Sequence, residues 1–387
     1  MQKLIHSVSK RNARLFSEYH NKVLNDIKLD FKDVLIRPRK ASINIESRSQ
    51  VNMMRTFKFK WAKNEWTGCP IVSANMDTTG TLEILKEFNK QKLLVALHKF
   101  YEAKDLEQFL SENEDCKDQM VVSSGTSDKD IIKLGEILKA TGTDKICLDV
   151  ANGYTQKFVD TVKKIRELHP DKVIIAGNVV TADISQELVS AGADIIKLGI
   201  GPGSVCTTRK QTGVGFPQLS TIMECSEAVH YMGGHVMGDG GITCPGDASK
   251  AFGGGADFIM IGGMFAGHDE SGGETVELDG KKYKAFYGMS SSEAMDKYHG
   301  GVAKYRSSEG KEVIIPSRGP IEATVLDLLG GIRSTCTYVG AHNVESLFSK
   351  TVFLRVNQQL NDVFNSNEMS EELNAKVRAE WQKQYTN

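Results

Sequence analysis

No stretch of this chain approaches the ~18 consecutive apolar residues that a membrane-spanning helix requires, and its longest uninterrupted runs, such as Leu93 to Leu97, are strand-sized. The expected protein is soluble, with no membrane partner. An excess of one charge is missing too: 48 basic residues against 49 acidic ones leave a formal charge of −1, so no nucleic-acid partner is expected. Paired cysteines are absent as well. Cys69, Cys116, Cys147, Cys206, Cys225, Cys244 and Cys336 are odd in number, scattered, and nowhere spaced Cys-x-x-Cys. With no secretory apolar segment at the N-terminus, that pattern argues against a disulfide framework or a zinc site and for a reducing compartment, with the cytoplasm as the expected location. The nine histidines form no i, i+4 pair with an acidic partner, which removes another common metal motif. Proline is scarce, eight in all, whereas 36 glycines concentrate between Gly199 and Gly331, where backbone is expected to approach a ligand.

What is present is rhythm. Strand-like runs occur at Pro70–Met76, Leu93–His98, Gln119–Ser124, Lys145–Ala151, Lys172–Asn178, Asp194–Gly199, His235–Gly240 and Asp257–Gly262. Amphipathic helical stretches lie between them at 81–91, 128–140, 155–168, 182–191 and 218–231. Apolar strands alternating with helices imply a covered parallel sheet, and eight repeats fit an α/β (β/α)8 barrel better than an open doubly wound sheet. The rhythm breaks after the eighth strand. Residues 267–318 are polar and glycine-rich, and Asp279–Gly280 predicts a hairpin turn between Glu274–Leu278 and Lys282–Tyr287. An insertion there belongs on the catalytic face. A helix resumes near Ile321–Leu329. The organisation expected is an N-terminal extension (1–27), one barrel domain (28–357) and a polar tail (358–387), in which Leu373, Val377 and Trp381 predict a docked surface helix. Residues 1–17 carry Lys3, Lys10, Arg11 and Arg14 with no acid before Glu18, so organellar import stands as a second reading of the terminus.

The most informative segment is GIGPGSVCTTR at 199–209, directly after the sixth strand. Its glycines and proline force a sharp loop with exposed amides and carbonyls. Cys147, inside its strand, reads as an inert core thiol. Cys206 differs, because it lies past a strand end beside Ser204, Thr207, Thr208 and Arg209, where donors and a cation favour a reactive thiolate. Glycine clusters at 238–242 and 261–267 follow the seventh and eighth strands, the usual phosphate position in barrels. Asp239 between them suits the paired hydroxyls of a ribose. Together they suggest a nucleotide monophosphate. From spacing alone, Thr208 could simply cap a turn and Glu309 could be a solvated loop charge.

The loop 199–209, the GDGG and IGGM clusters, FYGMSS at 286–291, GGIRSTCTYVG at 330–340, KLDFKDVLIRP at 28–38 and CLDVANGY at 147–154 together resemble the IMP dehydrogenase and GMP reductase superfamily over residues 28–357. Dehydrogenases of that group carry a regulatory insertion in the barrel and a flap with an Arg-Tyr pair that activates water. Here the early loops are short and the order is reversed, Tyr305–Arg306. The resemblance therefore implies the reductase branch, with NADPH-dependent reductive deamination of GMP to IMP and ammonia through a covalent cysteine intermediate. An IMP dehydrogenase lacking its insertion is the alternative. From another class, a silent nucleotide-binding scaffold is opposed by the joint presence of Cys206, Thr208 and Glu309.

The resemblance also implies roles for individual residues. Cys206 is the nucleophile, with Thr208 and Glu309 relaying a proton to the leaving amine. GMP lies on Ser204, Asp239, Gly240, Gly241, Gly262 and Gly263, with its base near Gly288, Met289, Ser290, Arg306, Ser307, Ser308 and Gly310. NADPH is lined by Lys99, Asp149, Val150, Ala151, Tyr305 and Arg306. Ser47, Arg48, Ser334, Thr335, Cys336 and Thr337 are lent by a neighbouring subunit of a homotetramer. Carbonyls of Gly201, Gly203 and Cys206, near Arg209, hold a potassium-like cation; such oxygens suit a hard ion.

Overall fold

The computed structural model describes residues 23–40, 45–299, 307–357 and Ala379. Three short strands come first, β1 (Val34–Ile36), β2 (Arg55–Phe57) and β3 (Trp66–Gly68). The barrel strands follow: β4 (Ile71–Ser73), β5 (Leu94–Leu97), β6 (Met120–Ser124), β7 (Lys145–Asp149), β8 (Val173–Val179), β9 (Ile195–Leu198), β10 (His235–Asp239) and β11 (Phe258–Ile261). All eight pair in parallel, and β11 pairs with β4 to close the barrel. The helices are α1 (Leu82–Asn89), α2 (Ala103–Glu112), α3 (Asp128–Thr141), α4 (Gln156–Leu168), α5 (Ala182–Ala191), α6 (Thr208–Thr212), α7 (Gln218–Tyr231) and α8 (Pro245–Gly253). The chain then runs through β12 (Thr275–Leu278), β13 (Lys281–Tyr287), α9 (Ser292–His299) and β14 (Glu312–Pro316), and ends in α10 (Glu322–Val339), α11 (Leu347–Lys350) and β15 (Phe353–Arg355). The expected α/β (β/α)8 barrel, with its insertion after the eighth strand, is what the chain forms. No helix among the described residues is long and apolar enough to cross a membrane.

Each strand alternates between two cores. Ile71, Val95, Val122, Ile146, Ile174 and Ile196 point outward beneath the helices. Val72, Leu94, Val121, Cys147, Ile175 and Met260 fill the barrel interior. The period of two along each strand therefore serves both faces, so the runs read as continuously apolar. Local signals set the helix ends. Ser127 accepts from the Asp130 amide while the Asp130 carboxylate accepts from the Ser127 amide, a reciprocal cap that starts α3. Gly142, at φ +62°, ends it.

Four features escaped the sequence. The hairpin β2–β3 covers the N-terminal end of the barrel, stacking Phe57 on Phe258 at 4.1 Å and packing Trp66 beside it. The predicted hairpin β12–β13 has Asp279 and Gly280 both at positive φ, as a primed turn requires, but β14 joins it as a third strand. The helix expected to end near Leu329 continues to Val339, so the segment 330–340 is helical up to its closing glycine. Gly331 permits this: a Cβ there would lie 2.3 Å from Pro245 Cβ, where α10 crosses α8. Finally β15 pairs antiparallel with β1. The helix expected around Leu373, Val377 and Trp381, and the basic segment 1–17, lie outside the described residues.

Candidate active site

The loop after β9 is shaped by contacts that exclude side chains. A Cβ on Gly199 would stand 2.3 Å from the Asp239 carbonyl, and Pro202 packs against Gly240 and Gly241, both at positive φ. Backbone thus meets backbone between the loops after β9 and β10. Gly262 and Gly263 follow β11, the latter facing the Ser204 hydroxyl. These residues line one side of the barrel's C-terminal mouth.

The insertion after β11 supplies the other side. It returns antiparallel to the Cys206 loop: the Thr207 amide donates to the Glu309 carbonyl at 2.9 Å and the Lys311 amide to the Val205 carbonyl at 2.9 Å, with Cys206 opposite Gly310. This pairing brings three side chains into line. The Cys206 thiol donates to Thr208 Oγ1 at 3.3 Å, and that hydroxyl donates to Glu309 Oε2 at 2.7 Å. Thr208 does not cap its helix; the N-cap of α6 is Thr207, which makes no side-chain cap bond. Nor is Glu309 a merely solvated charge. Cys206 is half-buried, whereas Cys147 is fully buried and its thiol is pushed up to about 12 by burial, as an inert core cysteine should be.

The loop 288–291 is stitched to the same strand. Ser290 O accepts from the Glu309 amide at 3.1 Å and from Ser308 Oγ at 3.2 Å, while Ser308 Oγ also lies 3.0 Å from Gly310 O. Gly288 abuts the Val205 carbonyl, and Ser307 Oγ reaches Gln211 at 3.4 Å. Tyr305 and Arg306 fall outside the described residues.

Deeper in the mouth sits a group the sequence reading missed. Lys197 of β9 is 2% exposed at its side chain, 2.7 Å from Asp149 Oδ1 and 2.9 Å from Asp239 Oδ2. Burial pulls its ammonium down, but the two carboxylates outweigh that and hold it above the ordinary lysine range. Asn178 of β8 donates to Asp239 Oδ2 and to the Gly199 carbonyl. The residue expected to hold the nucleotide ribose and the one expected to hold the cofactor therefore share one cation. A signal for Lys197 was available: one charged residue inside the otherwise apolar strand Ile195–Leu198.

The remaining cofactor candidates divide into two places. Val150 donates its amide to the Gly177 carbonyl, next to Ala151, and Lys99 lies exposed with its ammonium 5.6 Å from the Phe100 ring. Ser334, Thr335 and Thr337 sit on α10, their hydroxyls bonded back within that helix. The turn Arg48–Gln50 packs against it, with Ser47 Oγ accepting from the Ser49 amide. These flank residues form a group of their own. Cys336 is fully buried between them, its thiol raised to about 12 by burial, so its side chain belongs to the core.

At the cation candidates, the Gly203 carbonyl accepts from the Cys206 amide at 3.1 Å, and Gly201, at φ +81°, has Arg209 packed so closely that a Cβ would meet Arg209 Cγ at 2.5 Å. Arg209 itself donates to the Phe216 carbonyl and Asp30. It braces the loop from behind. Among the described residues no cluster of three or more His, Cys, Asp or Glu side chains is placed to hold a metal ion, so any cation here would be held by carbonyl oxygens.

The family model described as IMP dehydrogenase / GMP reductase domain matches residues 28–361. The chain belongs to that family. Among its relatives, GMP reductase 2 of Homo sapiens is 56% identical over 341 residues, covering 88% of this chain and 97% of the relative. GMP reductase of Phytophthora infestans is 53% identical over 360 residues, 92% of this chain and 99% of its own length. GMP reductase of Shewanella pealeana is 53% identical over 345 residues, 89% and 99% respectively. Family membership agrees with the closed eight-stranded barrel.

Proposed function

We propose that this chain is an oxidoreductase that reductively deaminates GMP to IMP and ammonia, using NADPH, in purine nucleotide interconversion. The observation that carries the reading is the continuous line Cys206–Thr208–Glu309, in which a half-buried thiol is connected through a hydroxyl to a carboxylate. The names of relatives above half identity support the same substrate.

In this reading the Cys206 thiolate attacks C2 of the guanine, forming a C–S bond. The thiol proton passes through Thr208 to Glu309 as the bond forms; because the amino group leaves as ammonia only once protonated, the same proton returns through Thr208 to the departing nitrogen. The C–N bond breaks and a thioimidate remains on Cys206. NADPH supplies the hydride that this adduct needs. The C–S bond then breaks, the thiolate returns to Cys206 and IMP departs. Lys197, paired with Asp149 and Asp239 together, holds both carboxylates in place as acceptors for sugar hydroxyls. Gly240, Gly241, Gly262 and Gly263 offer backbone amides to the phosphate, with Ser204 beside them. Segments 288–290 and 307–310 meet the base, with Arg306 completing that set.

The carbonyl-rich loop of Gly201, Gly203 and Cys206 suits a potassium-like ion, which would rigidify the nucleophile's loop. Because Ser47, Arg48 and Ser334–Thr337 form a separate group on the flank, they fit a cofactor bound to a neighbouring subunit, and the assembly we infer is a homotetramer in the cytoplasm. Tyr305 and Arg306 complete the cofactor set with Lys99 and Asp149–Ala151.

The deciding experiment mixes purified protein with GMP and NADPH while following NADPH absorbance and ammonia together. Equimolar loss and release is expected. Conversion of IMP to XMP with reduction of NAD, and no NADPH consumption by GMP, would replace this reading with the dehydrogenase. No turnover in either direction would leave the silent scaffold.

A further inference from the structure

One buried carboxylate takes no part in the chemistry above. Asp77 lies in the turn after β4 with its side chain 3% exposed. Its Oδ2 accepts from Tyr287 Oη at 2.6 Å, from Tyr298 Oη at 2.9 Å and from Lys297 Nζ at 3.3 Å. Its amide donates to Met289 Sδ at 3.4 Å, and its Oδ1 is buried without a partner. A carboxyl group at this depth needs hydrogen-bond donors, and here all three side-chain donors come from the insertion. Tyr287 ends β13, whereas Lys297 and Tyr298 belong to α9, so the segment 288–291 is spanned by partners of a single oxygen. The Tyr298 ring also stacks on Phe100, with centroids 3.5 Å apart, in the turn that follows β5.

We propose that Asp77 is a positioning residue that clamps β13 and α9 to the barrel and thereby sets Gly288, Met289 and Ser290 in register with the Cys206 loop. The inference rests on reading those three residues as contacts of the guanine base. It gives the turn after the first barrel strand a part in substrate recognition through position rather than contact. The segment's other ties run within the insertion: the Gly288 amide donates to the Lys311 carbonyl at 3.3 Å, and Ser290 O accepts from the Glu309 amide and Ser308 Oγ. Without the clamp the barrel and the β13–β14 pairing persist, and the segment loses its side-chain tie to the turn after β4.

The test uses Asp77→Asn, Tyr287→Phe and Tyr298→Phe in the full chain. Hydrogen bonds to a charged acceptor are strong enough that Asp77→Asn should raise KM for GMP about 10- to 100-fold, with a smaller change in kcat. Hydrogen exchange of peptides covering 288–291 should accelerate in the same variant without any nucleotide present. Adding Tyr298→Phe to Asp77→Asn should add little, because both remove one contact set. A folded Asp77→Asn protein with unchanged KM for GMP, or with unchanged exchange at 288–291, would overturn the clamp. Should Asp77→Asn fail to fold, the two phenylalanine variants decide by the same exchange measurement, where unchanged rates in both again overturn it. The exchange arm needs no ligand, so it stands even if the wild-type chain proves not to turn over GMP.

Discussion

Thr208 and Glu309 are 101 residues apart in the chain, yet the hydroxyl of one donates to the carboxylate of the other across 2.7 Å. If this pair protonates the departing amine, Glu309→Gln should slow deamination by about 10²- to 10⁴-fold while leaving hydride transfer much less affected. The double variant with Thr208→Val should be barely worse than the single, since residues acting as a unit are not additive. Single-turnover kinetics that follow ammonia and NADPH in parallel separate the two steps. Equal slowing of both would reduce Glu309 to a positioning role.

Cys206→Ala should abolish turnover and leave folding and GMP binding largely intact, because the thiol is half-buried at a loop and fills no core. Intact mass of the wild-type protein, quenched during turnover, should show one nucleotide adduct mapping to Cys206. An adduct on Cys244, the other half-buried cysteine, would remove Cys206 from the mechanism.

Lys197→Met leaves Asp149 and Asp239 facing one another with no cation between them. The carboxylates left behind are 40% and 21% exposed, so the cost falls below that of a fully buried pair, at about 1–3 kcal/mol. Urea unfolding should show a loss of that order, and Asp149→Asn in the same chain should recover part of it. Affinity for GMP and for NADPH should fall together. A loss confined to one ligand would mean that the two carboxylates are held independently.

His98, next to Lys99, is kept neutral: burial holds its imidazole down at about 4. Its Nδ1 accepts from the Phe100 amide at 3.3 Å, which requires that nitrogen unprotonated. The unfolded chain, with histidine near 6.5, binds the extra proton first as pH drops. Stability from His98 is therefore fully present above about pH 6.5 and is lost as pH falls toward about 4, by up to about 3 kcal/mol. Comparing wild type with His98→Gln across that window isolates the effect. Parallel curves for the two proteins would show that His98 titrates normally.

The barrel was legible because its signal is repetitive: eight apolar runs and intervening helices are local patterns, and each strand core was found in order. The sharp loop after β9 was legible for a different reason, since glycine and proline in 199–203 leave few conformations. What escaped depended on distant partners. Nothing near Asp77 in the chain announces Tyr287 and Tyr298, which meet it only after the insertion folds back. Lys197 was visible as an anomaly, one charge in an apolar strand, but its meaning required Asp149 and Asp239 at neighbouring strand ends. The hairpin β2–β3 stands outside the strand–helix rhythm, and its aromatic residues gain purpose only against Phe258.

That aromatic stopper gives the molecule two poles with separate duties. At one, Phe57, Trp66 and Phe258 stack over the barrel floor, where the Asp257 carboxylate bonds Arg55 and His230. At the other, the reacting groups hang on loops. Evolution, or an engineer, can thus adjust durability at the floor and turnover at the rim as two nearly independent dials, which is how one scaffold can serve organisms living at different temperatures without relearning its chemistry.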